Sequence, residues 1–204
     1  MKVAPATTLP LMEAFYTIQG EGTYQGHAAY FIRLAGCDVG CVWCDVKESW
    51  PADRHPLKST EEIAAQAAAT KAGIAVVTGG EPAMYHLEDL TRQLKARGLR
   101  THLETSGAYP ITGTWDWVCL SPKKFKPTLD VVYPLAHELK VIIYNRSDLE
   151  WAVRQAEKVT AGCALFLQPE WSREKKMLPH IIEWVKQDTR WRISLQIHKY
   201  MDIP

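Results

Sequence analysis

Residues 28–35 read AAYFIRLA, a short apolar run with one charge, and that pattern predicts a strand. Further short apolar runs predict strands over 74–78, 100–104, 117–120, 138–143, 164–168 and 192–198. Segments of helical period lie between most of them. Residues 60–71 have Ser59 or Thr60 as N-cap, with Glu61 and Glu62 in the first turn. Residues 86–97 carry Leu87, Leu90 and Leu94 on one stripe, and Gly98 is placed to stop them. Two more helices are predicted over 148–158, capped by Ser147 or Asp148, and over 173–187.

Short strands separated by helices predict βαβ units and a parallel sheet. A complete eightfold barrel takes about 250 residues. This chain has 204. The expectation is an α/β fold with one domain over 1–204, an open, partial TIM-like (β/α) barrel. About six parallel strands would form it. Ligands in such folds sit at the C-terminal ends of the strands.

Composition narrows the function classes. Hydrophobic residues make up 47% and charged residues 23%, the balance of a soluble globular enzyme. The net charge is +1 and no long run of like charge appears, so no nucleic-acid partner is expected. No apolar stretch approaches the roughly 20 residues of a membrane span, so no membrane partner is expected either. Met1 to Pro10 holds one Lys and no apolar core of a secretory signal. The expected compartment is the cytoplasm, where thiols stay reduced.

Five cysteines are present, and three of them fall within eight residues as Cys37-x3-Cys41-x2-Cys44, directly after the predicted strand 28–35. Three thiolates on one short loop can hold three corners of a [4Fe–4S] cubane and leave one iron without a protein ligand. That open iron can be chelated by the amino and carboxylate groups of S-adenosylmethionine (SAM). A zinc site is the alternative, and it needs a fourth ligand such as His27, His55 or a distant residue. Gly36 and Gly40 loosen the loop. Trp43 could shield a cluster or cover an adenine. Cys119 and Cys163 sit in apolar strands and read as buried structural thiols.

Thr78-Gly79-Gly80-Glu81-Pro82 follows the strand at 74–78. Two glycines there let a ligand approach the backbone, and Glu81 offers an acceptor for an ammonium group. Read alone, it is also an ordinary βα turn. Glu104-Thr105-Ser106-Gly107, Ser121-Pro122-Lys123 and Gln168-Pro169 end three other strands with polar groups and exposed backbone. In residues 28–35, alternation puts Ala29, Phe31, Arg33 and Ala35 on one face. A guanidinium there is costly unless paired. A bidentate carboxylate ligand, or an internal Asp or Glu, would satisfy it.

The cysteine triplet and Gly79-Gly80-Glu81 together resemble the radical SAM superfamily. A closer likeness lies in Phe15-Tyr16-Thr17-Ile18-Gln19-Gly20-Glu21-Gly22 and Phe31-Ile32-Arg33-Leu34-Ala35-Gly36-Cys37. With Glu104 to Gly107, Ser121 to Lys123 and His198-Lys199-Tyr200, these segments resemble the 7-carboxy-7-deazaguanine synthase family of queuosine biosynthesis. The resemblance implies a lyase-type ring contraction of 6-carboxy-5,6,7,8-tetrahydropterin with loss of ammonia. It implies substrate contacts at Ile18, Gln19, Gly20, Arg33, Thr105 and Pro204. It puts SAM on Gly79, Gly80, Glu81, Gly107, Ser121, Pro122, Lys123 and Gln168, and the cluster on Cys37, Cys41 and Cys44. It also implies a homodimer and a flavodoxin or ferredoxin as electron donor.

One position departs from the family. Many members carry a Thr two residues after the last cluster Cys, where its hydroxyl ligates Mg2+. This chain has Val46. An isopropyl group gives Mg2+ no oxygen. Mg2+ then binds through substrate and water alone, or Asp45, Glu48 or Ser49 substitutes, or the metal is dispensable. Two other functions stay open from sequence: a glycyl-radical-enzyme activase with the same core, and a small zinc or iron–sulfur interaction module.

Overall fold

A computed structural model describes residues 7–204. Nine strands form one sheet in the order β3-β1-β2-β4-β5-β6-β7-β8-β9. They are β1 (Thr8–Ile18), β2 (Ala28–Leu34), β3 (Leu57–Ser59), β4 (Ile74–Gly79), β5 (Arg100–Thr105), β6 (Trp117–Leu120), β7 (Glu138–Ile143), β8 (Ala164–Pro169) and β9 (Trp191–Ile193). The helices are α1 (Thr60–Ala68), α2 (Glu88–Ala96), α3 (Ser147–Ala156), α4 (Glu174–Gln187) and α5 (Ile197–Met201). From β2 onward every neighbouring pair is parallel. β1 runs antiparallel to both β2 and β3. The result is a partial TIM-like barrel in which all seven runs read as strands are parallel, against a barrel of about six expected.

Ser59 is the N-cap of α1: its hydroxyl accepts from the Glu62 N–H at 3.1 Å, and Glu62 accepts from the Ser59 N–H at 3.0 Å. Tyr30, Ile32 and Leu34 of β2 pack outward with Ile63 of α1 and Leu90 and Leu94 of α2. Leu139, Val141 and Ile143 of β7 pack the same way with Leu149 of α3 and Ile181 of α4. The alternate residues face the barrel interior, and there the chain is polar. Glu104, Cys119 and Glu138 sit side by side on β5, β6 and β7.

Three features depart from the sequence reading. β1 escapes the pattern because Pro10 and a register shift between Leu11 and Glu13 break its period of two. β3 has three residues and pairs only with β1, at the edge of the sheet. The last strand stops at Ile193 rather than continuing to residue 198. Tertiary bonds override its alternation: Ser194 Oγ donates to Gln168 Oε1 at 2.7 Å, and the Ile197 N–H donates to the Gly20 carbonyl at 3.1 Å. The chain is thereby drawn across the barrel mouth as α5.

Candidate active site

A cavity of about 290 Å³ opens at the C-terminal ends of the strands. The loop after β2 forms one wall. Its two ends are tied together where the Gly36 N–H donates to the Ser49 carbonyl at 2.6 Å and the Cys37 N–H to the Trp50 carbonyl at 3.2 Å. Cys37, Cys41 and Cys44 all line the cavity. Burial raises the pKa of Cys37, and it pushes Cys41 to about 11, partly offset by Lys123. The neighbouring Cys44 thiolate disfavours ionisation of both, so a bound cationic centre is what would hold them ionised together.

The donor set fits an iron–sulfur cubane better than a lone metal ion. Among the described residues, no three His, Cys, Asp or Glu side chains converge closely enough for a single ion. Cubane corners stand wider apart. The extra zinc ligands considered from sequence are turned elsewhere. His27 Nδ1 lies 3.1 Å from the Tyr24 carbonyl and His55 Nε2 lies 2.8 Å from that of Glu48, and neither lines the cavity.

Gly79 and Gly80 line the cavity from the end of β4, but their sequence is dictated by what stands behind them. A Cβ on Gly79 would lie 2.0 Å from the Leu34 carbonyl oxygen, and one on Gly80 would lie 2.3 Å from that of Gly36. The close approach is therefore made by the end of β2 and the start of the cysteine-bearing loop. Glu81 is 1% exposed and its carboxylate is heavily occupied. It accepts from the Ala83 N–H at 3.0 Å, the Ser106 N–H at 2.8 Å, and the hydroxyls of Thr105 and Ser106. An ammonium group at this turn would share Glu81 with four internal donors.

Ser121, Lys123 and Gln168 line the same cavity. Lys123 Nζ donates to the Ser121 carbonyl at 2.7 Å and lies 5.8 Å from the centre of the Trp43 ring. Burial lowers its pKa. Gly107 and Pro122 are not on the cavity wall. The Gly107 N–H donates to Thr105 Oγ1 at 3.0 Å, so Gly107 supports Thr105 from behind. Pro122 is buried between the two residues that do face the cavity.

Ile18, Gln19, Gly20, Arg33, Thr105 and Pro204 also line it. Arg33 has the internal partner that sequence left open. Its Nε donates to Glu13 Oε1 at 2.6 Å, across the β1–β2 pair. That bond uses one edge of the fork and leaves the terminal nitrogens for another ligand. Thr17 Oγ1 donates to the Pro204 carbonyl at 3.2 Å.

The floor was not legible in advance as a site. Glu21 and Lys140 form a buried ion pair, with side chains 15% and 5% exposed. Burial alone would raise the Glu21 pKa, but Lys140 outweighs it and holds the carboxyl at about 2, with Gln196 donating at 2.8 Å. Gln19 Nε2 donates to Glu104 at 3.0 Å. Glu138 accepts from the Thr23 N–H at 2.9 Å. Gly22, at φ 63°, lets the loop lie against Glu138, since a Cβ there would stand 2.1 Å from its carboxylate. A lysine amid the apolar strand Glu138–Ile143 was the available signal, of the same kind that flagged Arg33.

The three groups considered as substitutes near Val46 separate clearly. Val46 and Asp45 line the cavity, and Asp45 accepts from Lys199 Nζ at 2.9 Å. Ser49 Oγ is buried and donates to the Val46 carbonyl at 2.7 Å. Glu48 does not reach the cavity.

A family model described as the Radical SAM superfamily matches residues 31–119. A protein of Flavobacterium psychrophilum named 7-carboxy-7-deazaguanine synthase is 58% identical over 197 residues, covering 96% of this chain and 93% of the relative. One of the same name from Synechocystis is 49% identical, covering 95% and 93%. Among solved structures, that of QueE from Escherichia coli matches with a TM-score of 0.84 and 31% identity, over 93% of this chain and 94% of that one.

Proposed function

Because the chain belongs to the 7-carboxy-7-deazaguanine synthase family, within the radical SAM superfamily, we propose that it contracts the pterin ring of 6-carboxy-5,6,7,8-tetrahydropterin to 7-carboxy-7-deazaguanine and releases ammonia. The family's [4Fe–4S] cluster and SAM, when bound, supply one-electron cleavage of the sulfonium and hence a radical able to take hydrogen from the substrate. The observation that carries the reading is the shared cavity: the cysteine loop and the Arg33 guanidinium face the same space.

Each residue then has a physical task. Cys37, Cys41 and Cys44 hold the cluster. Gly79, Gly80, Glu81, Ser121, Lys123 and Gln168 receive SAM, with Gly107 and Pro122 fixing two of these turns from behind. Ile18, Gln19, Gly20, Thr105 and Pro204 frame the pterin. The free nitrogens of Arg33 pair with its carboxylate, while Glu13 keeps the guanidinium oriented. Asp45 is the one candidate Mg2+ ligand of the three that faces the cavity. The activase alternative needs an open groove for a protein, and relatives matching nearly the whole chain carry the synthase name.

The remaining readings follow from the same assignment. Residues 1–204 act as one domain. The reductant is a flavodoxin or ferredoxin. The exposed edge at β3 gives a reason for a homodimer. Reduced thiols and cluster chemistry favour a cytoplasmic setting. Among the described residues, no helix is long and apolar enough to cross a membrane.

The test is product analysis. Anaerobically reconstituted protein with about four irons, SAM, a reductant and the carboxy-tetrahydropterin should yield 7-carboxy-7-deazaguanine and ammonia by mass spectrometry and ammonia assay. SAM cleavage without that product would overturn the reading.

A further inference from the structure

Beneath the floor lies a second cavity of about 10 Å³, enough for one water-sized species. Gln19, Glu21 and Glu104 line both cavities, so they form the partition. Below it, Glu138 and His102 complete the polar wall, with Tyr24, Trp117 and Cys119 around them.

Two independent observations point to a ligand there. The first is charge. Three carboxylates, those of Glu21, Glu104 and Glu138, reach this small space, and one cation serves all three: Lys140 is ion-paired with Glu21 and also feels the charges of Glu104 and Glu138. Glu104 is met by neutral donors, Gln19 at 3.0 Å and Thr78 at 3.3 Å. Glu138 takes the Thr23 N–H at 2.9 Å and the weak Cys119 thiol at 3.4 Å. Three carboxylates around one lysine, with Glu138 itself buried, leave the space short of positive charge. The second is His102. It is 3% exposed, lines this cavity, and its Nε2 is buried with no hydrogen-bond partner. Burial and Arg100 lower its pKa to about 4, so the ring is neutral and one nitrogen carries a lone pair.

The carboxylates do not converge as a divalent ion requires. A water-sized monovalent cation with several N–H donors suits the space, the charge and the acceptors. We propose that this second cavity is a monovalent-cation site that takes ammonium, the nitrogen released from the pterin. The identity of the occupant rests on the synthase reading, while the site itself does not. Its place behind the partition keeps the released nitrogen apart from the SAM side of the main cavity, and no bond is made or broken there.

The test uses cluster-reconstituted protein without SAM or substrate. Added ¹⁵N-ammonium should give a second, exchange-protected NMR signal. Crystals soaked in thallous acetate should show an anomalous peak between Glu138 and His102. Glu138→Gln should weaken ammonium binding by about tenfold or more, the order of one lost charged hydrogen bond. If Glu138→Gln does not fold, the thallous peak in the unaltered protein decides. An ordered water alone, with no thallous peak and no protected ammonium, overturns the proposal. Because binding is read without turnover, a failed product analysis would remove the source of ammonium but leave this measurement intact.

Discussion

On the cysteine side of the cavity the important groups are neighbours in sequence. Three thiols fall within eight residues, and Gly79-Gly80-Glu81 is one continuous turn. The backbone does most of the positioning there, through close approaches that only glycine permits. On the floor the partners are remote. Glu21 and Lys140 are 119 positions apart, Gln196 and Glu21 are 175 apart, and Gln19 and Glu104 are 85 apart. Charge does the positioning there. A side built from local backbone can lose its ligands and keep its fold. A side built from buried charges loses both together.

The largest expected effect falls on the local side. On the proposed assignment Cys44→Ala removes one corner of the cluster, so product formation should fall below detection and iron content should drop well under the unaltered protein's. Far-UV circular dichroism and the urea midpoint of the apo-protein should hardly move, because Cys44 serves no packed strand. A large loss of apo-protein stability would break the contrast between the two sides.

The floor should respond the opposite way. Lys140→Met leaves Glu21 buried without its counter-ion, which typically costs about 3–5 kcal/mol. Urea unfolding should show it, and Glu21→Gln on top of Lys140→Met should recover much of the loss. The pH dependence has a definite sign. The Glu21 carboxyl is held at about 2 in the folded chain against an ordinary 4.5. Its contribution is thus complete above pH 4.5 and is lost as the pH falls toward 2. Glu21→Gln should flatten that acid limb. An acid limb unchanged in the variant would show that the ion pair is not what the floor rests on.

Arg33 stands where the two sides meet, and its expected effect is intermediate. Arg33→Lys keeps a charge near Glu13 but gives up the planar fork. The fold should persist while KM for the pterin rises about 10- to 100-fold, the range of a charged hydrogen bond or two. An unchanged KM would confine Arg33 to its pair with Glu13.

This division also decides what could be read from the sequence. The parallel strands, the four principal helices and the cysteine loop were legible because each carries its own local signal. β1 was hidden by Pro10 and its register shift, and β9 was cut short by bonds from Ser194 to Gln168 of β8 and from Ile197 to Gly20. Arg33 was found because one charge interrupted an apolar strand. Lys140 interrupts another in the same way. Its partner Glu21, however, lies in a glycine-flanked loop with no periodicity to betray a buried carboxylate. The glycines at 79 and 80 stand out in the sequence as a place for close approach, but what approaches them, Leu34 and Gly36, is visible only in three dimensions.

Val46 carries the smallest expected effect and tests the local side most finely. It occupies the cavity wall beside Asp45 and supplies no oxygen. Turnover of chelator-treated enzyme should therefore rise only a few-fold on adding Mg2+, a change worth about 1 kcal/mol or less. Val46→Thr is nearly isosteric and adds one hydroxyl, so it should steepen the response without shifting iron content. Asp45→Asn should erase whatever response the unaltered enzyme has, since Asp45 is the remaining carboxylate at that wall, and it also releases Lys199. A steep Mg2+ requirement that survives Asp45→Asn would mean that the substrate and water alone hold the metal. The cysteine side would then be wholly a matter of backbone and thiolate, with no carboxylate of the chain taking part in Mg2+ binding.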